Sequence, residues 1–225
     1  MKTSIISSWE KNAAEWIKVI QGDAIPSRKY TNAAILNMIS KLECENIVDI
    51  GCGEGWLTRE LSKLGLNAVG LDAIEQLLVE ARKKGAEDYH TFTFEDIIAG
   101  KTIPNAPFDV AIFNFCLYLG EDLQTLLKKT LDGISDNGTI LIQTLHPFSL
   151  IQNGLPYKSQ WLSDSWKGLP GNFEEGHAWY ARTFEDWIAL ISNLENIHFS
   201  TKEVLSEKQQ PVSLILKIHK HHENI

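Results

Sequence analysis

Ile47-Val48-Asp49-Ile50-Gly51-Cys52-Gly53-Glu54-Gly55-Trp56 is a short apolar run that ends in three alternating glycines. The run reads as a buried strand, and the glycines read as a tight turn opening a helix from about Glu54 to Leu64. Glycine lacks a Cβ, so such a turn lets the backbone approach a ligand closely and accepts positive φ. Working outward, the same unit recurs. Ala68 to Leu71 is a strand ending at Asp72, followed by a helix with Ile74, Leu77, Leu78 and Ala81 on one face. A third strand is expected near Tyr89 to Phe94 and a fourth at Phe108 to Phe113. A helix then carries Leu119, Leu123, Leu126, Leu127 and Leu131, and an Asn137-Gly138 turn leads into a fifth strand at Thr139 to Thr144. Strands alternating with helices predict a Rossmann-like, doubly wound α/β sheet, mostly parallel, with helices on both faces and ligands at the carboxyl ends of its strands.

Two helical segments precede this core, with Trp9, Ala13, Trp16, Ile17 and Ile20 on the first and Ile35, Met38, Ile39 and Leu42 on the second. From His146 to Arg182 the periodicity fails, and the segment is rich in Pro, Trp, Tyr and Phe. Its aromatic content argues against disorder, so it reads as a functional loop. Thr183 and Asp186 then have the spacing of a helix cap, ahead of Trp187, Ile188, Leu190, Ile191 and Leu194 facing inward. Strands near Ile197 to Val204 and Val212 to His219, joined by the polar Ser206 to Gln210 turn, complete a seven-stranded sheet with an antiparallel hairpin.

The 225 residues include 21 Lys+Arg and 29 Asp+Glu, a formal charge of -8. That balance argues against broad attraction to nucleic acid or to an anionic membrane, and favours a small or neutral substrate. No apolar run is long enough to span a bilayer or serve as a signal peptide. The three cysteines, Cys44, Cys52 and Cys116, fit neither a disulfide framework nor a zinc site, so a cytoplasmic, reducing location is expected. A dinucleotide turn wants G-x-G-x-x-G, but its third glycine is Trp56 here, and Glu54 would place a carboxylate beside a diphosphate. Nicotinamide and flavin cofactors are disfavoured.

Asp49-Ile50-Gly51-Cys52-Gly53-Glu54-Gly55, Asp72 closing the second strand, Glu95-Asp96-Ile97, Phe108-Asp109 and His146-Pro147 together resemble the class I S-adenosylmethionine-dependent methyltransferase family. The resemblance covers about Glu45 to His146. The chain reads as a single domain over 1–225, with a helical segment 1–45, a cofactor-binding core 46–146, an aromatic lid 147–182 and a C-terminal helix and hairpin 183–225. The resemblance implies S-adenosylmethionine as cofactor, with the methionine part across Gly51, Cys52, Gly53 and Gly55, and with Asp49 orienting the turn. Asp72, next to Ala73, would take the ribose hydroxyls. Asp96, next to Ile97, would take the adenine amine. A carboxylate suits a ribose diol because its two oxygens can accept both hydroxyls. Asp72 has a rival reading as the cap of the following helix, and Asp96 one as a cap or turn residue.

Asn114 and Cys116 follow the fourth strand, where members of the family touch cofactor or substrate. Cys52 and Cys116 read as small residues in a crowded site, not as nucleophiles. His146 and Tyr180 are the candidate catalytic groups, and Cys116, Trp179 and Arg182 the candidate acceptor contacts. His146 has a rival reading as a loop anchor, and His177, Trp179, Tyr180 and Arg182 have one as a satellite core. Trp9, Trp16, Arg28 and Tyr30 lie in a region that closes over the cofactor in related enzymes, or they are ordinary helix packing. No metal site is expected, and the His219-Lys220-His221-His222 tail fits no closed-site spacing. Asn114-Phe115-Cys116-Leu117 departs from the Asn-Pro-Pro-Tyr type used on planar amides and adenine, which favours a small-molecule acceptor. An RNA or protein methyltransferase, or a cofactor-binding regulator without turnover, are the alternatives.

Overall fold

The computed structural model of the chain describes residues 4–221. A seven-stranded sheet is built from β1 (Asn46–Ile50), β2 (Asn67–Asp72), β3 (Asp88–Thr91), β4 (Phe108–Asn114), β5 (Ile134–Leu145), β8 (Ile197–Leu205) and β9 (Pro211–Lys220). A separate two-stranded ribbon pairs β6 (Gln160–Leu162) with β7 (Trp179–Ala181). The sheet order is β3-β2-β1-β4-β5-β9-β8. β1 to β5 run parallel, and β9 is antiparallel to both β5 and β8. The order reverses between β1 and β4, where a doubly wound sheet opens its ligand crevice.

Successive β1 residues point to opposite faces, and both faces are buried, which is why the strand is apolar without alternation. On one face Val48, Ile50, Phe113 and Ile142 pack on α6 (Leu123–Asp132) and α8 (Phe184–Ser192). On the other, Ile47, Ile112 and Leu141 pack on Ile35 and Ile39 of α2 (Arg28–Ile39) and on Leu57 and Leu61 of α3 (Trp56–Lys63). Asp109 ties the amino end of β4 to β1 by accepting the Glu45 and Asn46 N–H groups at 2.9 Å each. The register pairs Ile50 with Leu71 and Phe113, and Asn114 with Gln143, so Gly51, Asp72 and Asn114 leave the sheet on one rim.

Several boundaries differ from the sequence reading. β3 stops at Thr91 and Phe94 opens the short helix α5 (Phe94–Ile98), because Thr93 caps it. Leu119 lies ahead of α6, not in it. β5 starts at Ile134, and Asn137-Gly138 is a kink within it: Phe108 pairs with Ile134 but Val110 with Thr139, with Asn137 at φ 65°. The segment from His146 to Arg182 holds α7 (Ser149–Gln152) and the β6–β7 ribbon. The Thr183 cap of α8 and the hairpin closed by Ser206 and Gln210 stand as read.

Above the rim lies a cap made of α1 (Ile5–Gln21) and residues 164–177. α1 packs on α4 (Glu75–Lys84) through Ala13, Ile74 and Leu77. Its buried stripe also carries Ser8 and Asn12, which answer backbone groups of the distant segment. The Ser8 hydroxyl donates to Glu175 O (2.8 Å), Asn12 Nδ2 donates to Glu174 O (2.7 Å), and Asn12 Oδ1 accepts Glu174 N–H (2.8 Å). Trp166 completes the joint. Its indole N–H donates to Ser8 (3.0 Å), and its ring stacks on Phe173 and meets Trp9 edge-on, with centroids 4.7 and 4.6 Å apart. These rings are therefore a packed cluster, as the helix-packing reading has it, and Trp16 of that cluster lies over Gly53.

Candidate active site

Gly51, Gly53 and Gly55 all have positive φ, at 78°, 58° and 76°. A Cβ on Gly51 would lie 2.6 Å from Cys116 Cβ, and one on Gly55 would lie 2.5 Å from Tyr89 Oη. The turn is therefore specified sterically as well as by φ. Trp16 Nε1 is the nearest group over Gly53, at 3.9 Å from where a Cβ would stand. Ala73 packs into the same α1–α4 contact, beside Trp16.

Asp72 Oδ2 accepts the Gly53 N–H and Oδ1 the Ile74 N–H, both at 2.8 Å. It thus supports both the turn and the start of α4. A carboxylate offers about four acceptor sites, so two remain for a ribose diol. Burial pushes its pKa up to about 6, against the pull of these backbone N–H groups. Asn114 Oδ1 is buried without a hydrogen-bond partner, an acceptor suited to an ammonium group at the β4 end of the rim. Glycine turn, diol acceptor and unpaired acceptor fit the parts of S-adenosylmethionine.

Asp49 is buried beneath the turn and accepts the Thr58 hydroxyl at 2.9 Å. Burial, with Asp72 adding to it, lifts its pKa to about 7. The folded state then holds a proton that the unfolded chain has already lost above about pH 4. Stability from this group is complete below that value and is lost as pH rises through 7. Asp49→Asn, which keeps an acceptor for Thr58, is expected to melt roughly 5–10 °C above the parent at pH 8 and level with it near pH 4. A parent whose melting temperature is flat between pH 5 and 8 would sink this account.

Other sequence candidates are employed elsewhere. Glu54 is buried and paired with Arg59 and Lys84, both at 2.8 Å, so its charge is neutralised and repels a ligand less than expected. Cys52 packs its side chain on Leu78, Ala81 and Tyr89. Cys116 Sγ donates to Ile50 O at 3.1 Å, and burial pushes its thiol well up, which suits the crowded-site reading. Asp96 closes a capping box with Thr93 and pairs with Lys101, contacts of the kind the cap reading describes. Ile97 is core. Arg28 lies over the Trp56 ring at 4.9 Å, and Tyr30 carries Lys29 over its ring at 4.7 Å.

His146 is corrected to the loop-anchor reading. Its Nδ1 accepts Phe148 N–H at 3.1 Å, so its Nε2 carries the proton that meets Glu203 at 2.9 Å, and no lone pair is left to take a proton. Arg182 is likewise structural: its two terminal nitrogens donate to Leu119 O and Gly120 O at 2.7 Å, and its guanidinium covers Tyr180 and Trp187. Trp179, Tyr180 and Arg182 line a cavity of about 20 Å³, room for a water molecule but not an acceptor. Tyr180 meets the Trp161 ring edge-on, with centroids 5.3 Å apart. Of the histidine tail, His219 and His221 lie with His198 at the opposite end of the sheet from the glycine turn, and His222 lies outside the described residues. No group of His, Cys, Asp or Glu able to hold a metal occurs among the described residues, and no helix there is long and apolar enough to cross a membrane.

Strand order, glycine turn and rim acids together define the Rossmann-like fold of the class I S-adenosylmethionine-dependent methyltransferases. The plantazolicin methyltransferase BamL, solved with a triazolic desmethylPZN analog and SAH, superposes with a TM-score of 0.68 over 96% of this chain and 95% of its own, at 16% identity. At that identity the likeness is one of fold. The chain belongs to the methyltransferase domain family, whose profile matches residues 15–202. An uncharacterized methyltransferase of Mycobacterium bovis is 28% identical over 130 residues, 58% of this chain and 65% of that protein. The ribosomal protein L11 methyltransferase of Campylobacter fetus is 31% identical over 154 residues, covering 63% of this chain and 52% of its own. The chain thus spans less than two thirds of the length of these two sequence relatives.

Sequence reasoning missed the cap joint, and it placed His177 in the aromatic lid without giving it a role in catalysis. Ser8, Asn12 and Glu15 recur at helical spacing beside Trp9 and Trp16, a polar stripe on a face that must be buried, and that was the available signal.

Proposed function

We propose that the protein transfers a methyl group from S-adenosylmethionine to a small-molecule acceptor under the aromatic cap. The observation that carries this reading is the glycine turn with Asp72 and Asn114 on one rim, roofed by Trp16 and closed by the joint between α1 and residues 164–177. S-adenosylmethionine supplies a methyl carbon on a sulfonium, open to in-line displacement by an acceptor lone pair. The chain's part is then alignment and exclusion of water. Asp72 would hold the ribose hydroxyls, the turn would lie against the methionine part, and Asn114 Oδ1 would take its ammonium. The Asp72 carboxylate makes the rim acidic, which suits a cationic cofactor. A roof of packed Trp and Tyr side chains favours a compact acceptor, and the charge of -8 disfavours nucleic acid. Free cysteines suit a reducing cytoplasm.

Calorimetric titration with S-adenosylmethionine and S-adenosylhomocysteine tests the reading. Micromolar affinity is expected, and Asp72→Ala should weaken it about 30-fold, or about 2 kcal/mol, by removing charge-assisted hydrogen bonds. Unchanged affinity in a folded variant would remove Asp72 from the ribose role.

A further inference from the structure

With His146 lacking a free lone pair, the chain has another buried imidazole that does not. His177 is fully buried at the inner side of the cap. Its Nδ1 lies 3.0 Å from Ala178 O, so Nδ1 carries the proton and donates, leaving Nε2 with a lone pair. That Nε2 is buried without a hydrogen-bond partner. An unpaired buried acceptor is costly enough that its persistence calls for a reason.

Its position supplies one. The His177 ring stands edge-on to Tyr118 at 4.8 Å, and Tyr118 donates its hydroxyl to Phe115 O at 2.9 Å, just beyond the end of β4. Trp9 links Tyr118 to Trp16, with centroids 6.3 and 5.3 Å away, and Trp16 roofs Gly53. Cys116, two residues before Tyr118, abuts Gly51. The imidazole is therefore joined through Tyr118 and Trp9 to the ring that lies over Gly53. The backbone holds it there, since Ser165 N–H donates to His177 O and Tyr180 N–H to Tyr118 O, both at 3.0 Å.

We propose that Nε2 of His177 accepts the proton of the methyl acceptor, an O–H, N–H or S–H compound, during transfer. This rests on the reading of the site given above. As the acceptor's lone pair bonds the methyl carbon, the C–S pair stays on sulfur, and the acceptor's proton passes to Nε2. The products are the methylated acceptor, a neutral thioether and an imidazolium. Burial lowers the His177 pKa, while the contact with Ala178 O and the Asp164 carboxylate raise it, so the ring is neutral and ready at pH 7. Tyr118, whose own pKa is raised by burial, faces it uncharged.

Histidine-selective 15N NMR on the full chain, with His177 assigned through His177→Gln, tests the proposal alongside the calorimetry. Nε2 is expected to show the unprotonated resonance at pH 7 and to shift on saturation with S-adenosylhomocysteine. The titration midpoint of His177 is expected to be at least half a unit lower with S-adenosylmethionine bound than with S-adenosylhomocysteine, because the sulfonium opposes a second positive charge nearby. Release of S-adenosylhomocysteine with small phenol, thiol and amine acceptors should fall at least 100-fold in His177→Gln, with cofactor affinity kept within threefold. Cofactor binding that leaves the Nε2 signal and midpoint unmoved would overturn this proposal and leave the cofactor reading intact. Absence of binding would overturn both.

Discussion

Replacing Trp166 by alanine is expected to release the cap from the core, at a cost of about 3–5 kcal/mol, the range for truncating a buried aromatic. The ring is 6% exposed and stands between Phe173, Trp9 and the Ser8 hydroxyl, so its removal takes away stacking, an edge contact and a buried hydrogen bond together. Ser8 would retain its bond to Glu175 O, but the aromatic cluster that fixes α1 over the turn would have no centre. The loss should be local. Hydrogen exchange should quicken along α1 and residues 164–177 while β1, β4 and β5 keep their protection, because those strands are buried by α2, α3, α6 and α8. Unchanged protection of α1 in Trp166→Ala would show that the cap does not depend on this ring.

Gly51→Ala should have the second-largest effect, about 2–5 kcal/mol of stability, together with a loss of cofactor affinity. Two causes add. The left-handed backbone at φ 78° strains any side chain by roughly 1–2 kcal/mol. The new Cβ would also stand 2.6 and 2.8 Å from Cys116 Cβ and Sγ, an overpacking that typically costs 1–3 kcal/mol. A double-mutant cycle with Cys116→Gly separates them in urea denaturation, since only the steric part should be recovered. Recovery of nothing would mean that strain in the turn dominates.

The sheet was readable from the chain because its signals are local. Apolar runs such as Ile47 to Ile50, glycines after the first strand and Asp72 after the second each announce themselves within a few residues. Boundaries moved where one polar group outweighed periodicity, as when Thr93 stopped β3 and claimed Asp96 for its cap. The acceptor side was legible only as composition. Whether His146 or His177 keeps a free nitrogen depends on Phe148 N–H, Glu203 and Ala178 O, and Glu203 reaches His146 from 57 positions along the chain. Arg182 looked like a ligand contact for the same reason, since its carbonyl partners lie 63 and 62 positions away.

The pairing of Asn12 with Glu174 has a consequence for the order in which the molecule is made. The two residues are 162 positions apart, so at about 5–20 residues per second α1 leaves the ribosome about 10–30 s before its partner exists. During that interval Ser8, Asn12, Trp9 and Trp16 have no roof to join, although β1 to β5 can already assemble behind them. The cap therefore closes only after β1 to β5 have been made, with α8 and the β8–β9 hairpin still to follow. Until the segment carrying Glu174 has been translated, the newly made protein presents its glycine turn uncovered.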